Sequence, residues 1–133
     1  AYGTGIKLKL MINFMVAAHT VALAEGMLFG EQMGLDKEIM LDIVGASAAS
    51  SAVFDIRAGI IAERKWQPCA GPSKLLWKDL GIVEEQADAL GLSAPLLRVC
   101  NQYYQKIAAA GRLEDECAVV FEILAGEIKS AQP

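Results

Sequence analysis

Lys9 and Asn13 stand four residues apart in a run that reads as helix, so an ammonium and a carboxamide project from one face about one turn apart. Such a pair is equipped to hold an oxygen-bearing substrate and to move a proton to or from that oxygen. Leu8, Leu10 and Met11 make the surroundings apolar, and the positive end of the helix lies close. Both effects disfavour a charged ammonium. Read alone, the two residues also fit an ordinary solvated helix start. Gly3 and Gly5 precede them, but the third glycine of a dinucleotide-binding loop would fall at Leu8. The pair reads instead as a flexible lead-in where backbone can lie close to a ligand.

A second candidate is Lys78, beside Trp77 and Asp79 and one turn after Lys74. It could reach an anionic or amide-bearing ligand, or it could belong to a solvated basic turn. His19 lines up with Ile12, Met15 and Val16, which makes it a packed or interface histidine; no second ligand stands at metal-binding spacing. No serine, histidine and carboxylate grouping suggests a nucleophilic hydrolase. Cys69, Cys100 and Cys117 are odd in number and form no C-x-x-C pair, so neither a disulfide framework nor a zinc site is encoded, and a reducing, cytoplasmic compartment is expected.

The elements that must position these groups read as helices throughout. Leu10, Phe14, Val21 and Leu28 repeat at helical spacing and predict one long helix from about Ile6 to Met33, stopped by Gly34. A second helix follows Asp36 as N-cap to about Val44, and a third opens at Ser50 or Ser51 and runs to about Arg64. Pro68, Gly71 and Pro72 make 65–73 a loop. A fourth helix spans Lys74 to Leu90 and stops at Gly91. A fifth starts at Ser93 and Pro95 and ends near Gly111, and a sixth runs from about Asp115 to Ile128. No alternating β-branched run appears, so the fold class is all-α.

On the first helix Ala18, Ala22, Gly26, Gly30 and Gly34 fall at successive four-residue steps. Each mid-helix glycine costs up to about 1 kcal/mol relative to alanine, so a close backbone contact is the expected compensation. That contact is read first as an internal helix crossing and second as a subunit interface.

The chain has 133 residues and is 54% hydrophobic, enough for one domain with one core. Twelve Lys and Arg against sixteen Asp and Glu give a net charge of −4 with no basic stripe, which argues against nucleic acid as a partner. The most apolar stretch, Leu10 to Ala24, is interrupted by Asn13, His19 and Thr20, so no membrane span is expected. The chain does not begin with Met, and its first helix pattern starts almost at once, as if cut from a longer polypeptide.

The stretch from Gly3 to Asn13 resembles the G-x-G-x-x-x-K-x-x-x-N signature that opens the C-terminal helical domain of the β-hydroxyacid dehydrogenases. That family includes 3-hydroxyisobutyrate dehydrogenase, tartronate semialdehyde reductase and the glyoxylate/succinic semialdehyde reductases. Ala24-Glu25 and Gly34-Leu35-Asp36 resemble the continuation of its long helix, Lys78-Asp79-Leu80 its K-D-L motif, and Gly111 through Ala118 its closing segment. Ile12 replaces the first of two asparagines common there, and a family aromatic just upstream of K-D-L is replaced around Gly71.

The resemblance implies an all-α domain similar to the C-terminal domain of 6-phosphogluconate dehydrogenase, filling residues 1–133, with the N-terminal Rossmann cofactor domain absent from this chain. It implies an oxidoreductase that uses NAD or NADP to interconvert a short β-hydroxy acid and its semialdehyde or oxo acid. Lys9 would be the catalytic lysine and Asn13 would bind the substrate. Gly5 would form part of the substrate pocket wall, Lys78 would face the nicotinamide, and Asp79 would support by fixing its helix turn. A homodimer is implied as well. The alternative is a stand-alone, non-catalytic helical interaction module that keeps the fold.

Overall fold

The computed structural model describes residues 2–128, and among these every regular element is helical. Helix α1 is Thr4–Gln32, α2 Lys37–Gly45, α3 Ala52–Glu63, α4 Ser73–Ala89, α5 Pro95–Ala109 and α6 Val120–Ala125, the last preceded by a 3-10 turn at Cys117–Val119. The expected all-α class holds.

Local chemistry sets most of the boundaries. The Asp36 carboxylate accepts from the amide of Glu38 at 2.8 Å and the Ser51 hydroxyl from that of Phe54 at 3.0 Å, so each satisfies an amide its helix leaves unpaired. Gly91 takes φ +68°, which lets the amide of Leu92 bond back to the carbonyl of Ala87 at 2.9 Å and close α4. Helices α1 and α5 end the same way at Gly34 and Gly111.

Helix α4 has no side-chain cap. Its first amides, Ser73 and Lys74, donate instead to the carbonyls of Asp115 and Leu113 at 2.7 and 2.9 Å, and Pro72 forms an isolated antiparallel bridge with Glu116. This strap explains why the last helix is shorter than the sequence pattern predicts. Asp115 and Glu116 are engaged by the segment before α4, so regular α-helix begins only at Val120 rather than near Asp115.

α1 is the axle of the fold. It packs against every other helix, and Ala17, Val21, Ala24 and Met27 join Ile61, Leu80, Tyr104, Ile107 and Phe121 in one core. By length and composition α1 is also apolar enough to cross a membrane, contrary to the sequence expectation. Its three polar interruptions are outweighed by the surrounding aliphatic residues.

A buried ion pair ties three elements together. Nε of Arg57 donates to Oε1 of Glu116 at 2.8 Å, Nη1 donates to the Thr20 hydroxyl at 3.3 Å, and Oε2 of Glu116 accepts from the amide of Ala118 at 2.5 Å. Burial lowers and the neighbouring Cys117 and Glu116 raise the affinity of the guanidinium for its proton, with the net shift upward, so Arg57 stays charged.

The expectation of an internal crossing along the small-residue stripe is overturned in its middle. Gly30 is buried against Met40, but Ala22 and Gly26 face outward, and a Cβ at Gly26 would meet nothing within 4 Å. Inward-facing residues of α1 are set by where the other helices pack, and α2 and α3 leave an open groove beside Ala22 and Gly26.

Candidate functional site

The first turns of α1 and the middle of α4 bring three polar side chains together. Asp79 sits on the inward-facing row of α4 with Leu76 and Leu80, all three buried. A carboxylate on that row needs partners. It finds them across the helix interface: Oδ2 accepts a hydrogen bond from Nδ2 of Asn13 at 2.5 Å, and Nζ of Lys9 lies 3.7 Å from the same oxygen. The Asp79 side chain is 8% exposed and that of Lys9 64%.

The geometry therefore unites Lys9 and Asn13, as their spacing predicts, and adds Asp79 as a direct member. The sequence reading confines Asp79 to fixing its own turn, whereas its carboxylate reaches α1. The available signal was an acidic residue three positions after Leu76 on an apolar row.

Other candidates lie around this trio. Gly5 falls inside the first turn of α1, which starts at Thr4, two residues earlier than the periodicity predicts. Outside its own turn of helix no atom lies within 4 Å of where its Cβ would be, so within this domain its surroundings are open. Lys78 is exposed on α4, one residue from Asp79. On the same turn Trp77 carries the buried indole N–H that has no partner among the described residues. His19 is exposed and lies with Ala22, Leu23, Gly26 and Met27 along an apolar groove of about 490 Å³ between α1, α2 and α3.

The apolar residues expected to desolvate Lys9 do not do so here. Leu8 and Met11 are each about half exposed, as is Ile12, while Leu10 is buried in the core, and the ammonium stays in contact with water. Carboxylate and carboxamide on one side, open apolar surface on the other: the arrangement is half of a pocket. Its chemistry is that of a proton donor or acceptor at Nζ next to a carboxamide pinned by a hydrogen bond.

A family model described as NAD-binding of NADP-dependent 3-hydroxyisobutyrate dehydrogenase matches residues 3–123. The chain belongs to this family. Among curated relatives, the chloroplastic glyoxylate/succinic semialdehyde reductase 2 of Arabidopsis thaliana is 24% identical over 92% of this chain and 34% of that protein. L-threonate dehydrogenase of Cupriavidus necator is 28% identical over 95% of this chain and 42% of that protein. Among solved structures, a 3-hydroxyisobutyrate dehydrogenase from Salmonella typhimurium matches with a TM-score of 0.86 and 26% identity over 91% of this chain and 42% of that one. The chain thus spans between 34% and 42% of the length of these 3-hydroxyisobutyrate dehydrogenase-like relatives.

Proposed function

We propose that the chain is the helical, substrate-completing and dimerising part of an NAD(P)-dependent oxidoreductase that interconverts a short β-hydroxy acid and its semialdehyde or oxo acid. The observation that carries this reading is the convergence of Lys9 and Asn13 on the buried carboxylate of Asp79.

Each side chain has a part that follows from its hydrogen bonds. Asn13 spends one amide N–H on Asp79, which fixes the plane of the carboxamide and leaves Oδ1 and the second N–H for a substrate oxygen. The carboxylate also draws the flexible side chain of Lys9 toward Asn13. In reduction Nζ gives a proton to the carbonyl oxygen as negative charge builds there; in oxidation it takes the proton from the hydroxyl. Nicotinamide cofactor, when bound, supplies or takes up the hydride. Gly5 lines the substrate side, and Lys78, an exposed cation one residue from Asp79, faces the nicotinamide end. In this reading a Rossmann domain elsewhere in a longer polypeptide holds most of the cofactor and covers Leu8, Met11 and Ile12, excluding water from Lys9.

The homodimer belongs to the same reading. It is supported by the outward-facing Ala22 and Gly26, by exposed Met15 and Phe29 on the same helix and by exposed Met33 at its C-cap, an apolar surface of the kind subunits bury. Three free cysteines support a reducing, cytoplasmic compartment, and the net charge of −4 supports small molecules rather than nucleic acid as ligands.

The test is Lys9→Ala in the full-length enzyme, assayed with NADH and NADPH against glyoxylate and succinic semialdehyde, and with NAD+ and NADP+ against L-threonate. Turnover should fall by roughly two to four orders of magnitude with helix content unchanged. Near-normal turnover would overturn the assignment, and a native protein lacking any nicotinamide-dependent activity would favour an interaction module.

A further inference from the structure

A second cavity, of about 690 Å³, opens between α3 and the segment before α4. Its floor is Arg57, Gly71 and Glu116, its rim carries Glu63 and Lys65, and Ile56 and Ile60 add an apolar wall. It is not an annex of the Lys9 site. Arg57 meets α1 at Thr20, eleven residues beyond Lys9, which is about 16 Å along the helix axis and too far for a short hydroxy acid to span.

The arginine is 10% exposed, yet its hydrogen-bonding capacity is only partly used. Nε serves Glu116 and Nη1 serves Thr20, while both oxygens of Glu116 are already engaged, by Arg57 and by the amide of Ala118. Nη2 donates to no acceptor among the described residues. It faces the cavity at Gly71, where a Cβ would lie 3.4 Å from it. A larger side chain at that position would cover it; glycine leaves it open.

A guanidinium nitrogen with unspent N–H groups, open to the cavity, has donors free for a ligand acceptor. The charges around the cavity balance, Arg57 and Lys65 against Glu63 and Glu116, so no field favours a multiply charged anion. The charged N–H groups of Nη2 suit a carboxylate oxygen, and Ile56 and Ile60 suit a short alkyl chain.

We infer that the cavity beside Gly71 binds a short aliphatic monocarboxylate, its oxygens seated on Nη2 of Arg57. This site is independent of the proposed dehydrogenase activity and is read by binding alone.

The experiment is equilibrium dialysis of the protein against radiolabelled butyrate, with sodium chloride holding ionic strength constant, in the native chain and three variants whose helix content is first checked. One saturable site per chain is expected. Gly71→Leu, whose side chain covers Nη2 and lies beside Oε1 of Glu116, should weaken binding at least tenfold, and Ala70→Trp, placed on an exposed residue of the same cavity, does the same should the first variant fail to fold. Lys9→Ala should leave binding unchanged. Loss of binding in Lys9→Ala with retention in the two cavity variants would put butyrate in the substrate site and overturn the inference. Absence of saturable binding would overturn it as well, leaving a cleft that holds water.

Discussion

Asn13 and Asp79 lie 66 residues apart in the chain, yet the carboxamide of one donates to the carboxylate of the other at 2.5 Å. The bond sets which atoms of Asn13 remain free and where Lys9 is drawn. Asp79→Asn preserves the shape and removes the charge that attracts Lys9. We expect kcat to drop roughly ten- to hundredfold, a part of what a positioned proton donor contributes. Helix content should stay constant and the pH profile of kcat/KM should move, a change that mere loosening of the turn would not produce. Steady-state kinetics across pH checks it.

The Arg57 and Glu116 pair should behave asymmetrically under mutation. Arg57→Met strands a buried carboxylate, and urea unfolding should show a loss of about 3–5 kcal/mol. Replacing both partners with apolar residues should recover much of that, because no uncompensated charge is left behind. Equal losses in the single and double variants would contradict this account.

Alkaline pH should weaken the fold. Burial pushes the Cys117 thiol up to about 12 and the Tyr104 hydroxyl well above its usual value. Unfolding lets both ionise near their ordinary values, so the unfolded chain binds fewer protons than the folded one above about pH 9. Stability tied to these groups is complete below that pH and declines by about 1.4 kcal/mol per unit for each group as pH rises toward 12. Denaturant midpoints at pH 8 and 10.5 measure the decline, and Cys117→Ala should make it shallower.

Gly26→Ala separates monomer from assembly. With nothing within 4 Å of the new methyl, helix propensity should stabilise the single chain by up to about 1 kcal/mol. If the second copy crosses α1 there, the same methyl weakens association. Thermal unfolding at low concentration reads the first effect and sedimentation velocity the second; unchanged association would place the partner on another face.

Signals that act over a few residues were legible in the sequence. Asp36 and Ser51 cap their helices through amides two and three positions away, and Gly91 closes α4 through its own backbone angle. What escaped depends on distant partners. Asp79 is defined by Asn13, and the late start of α6 by the strap of Pro72, Ser73 and Lys74 on Leu113, Asp115 and Glu116. The orientation of Ala22 and Gly26 followed the same rule, since one helix with small residues on one side does not say which side its neighbours take. Lys9 and Asn13 were legible together because one helical turn joins them; their exposure to water was not, because it depends on what lies beyond α1.

Helix α1 packs on every other helix, including α6 at residues 120–125. During translation it leaves the ribosome before all of them, so the most apolar stretch of these residues waits for about ninety more to be made before its burial is complete. Nascent chains stalled midway would present an unpartnered apolar helix, the kind of surface that chaperones hold and that aggregates nucleate on. Production of this domain is therefore governed by how quickly its C-terminal third is supplied as much as by the stability of the finished fold.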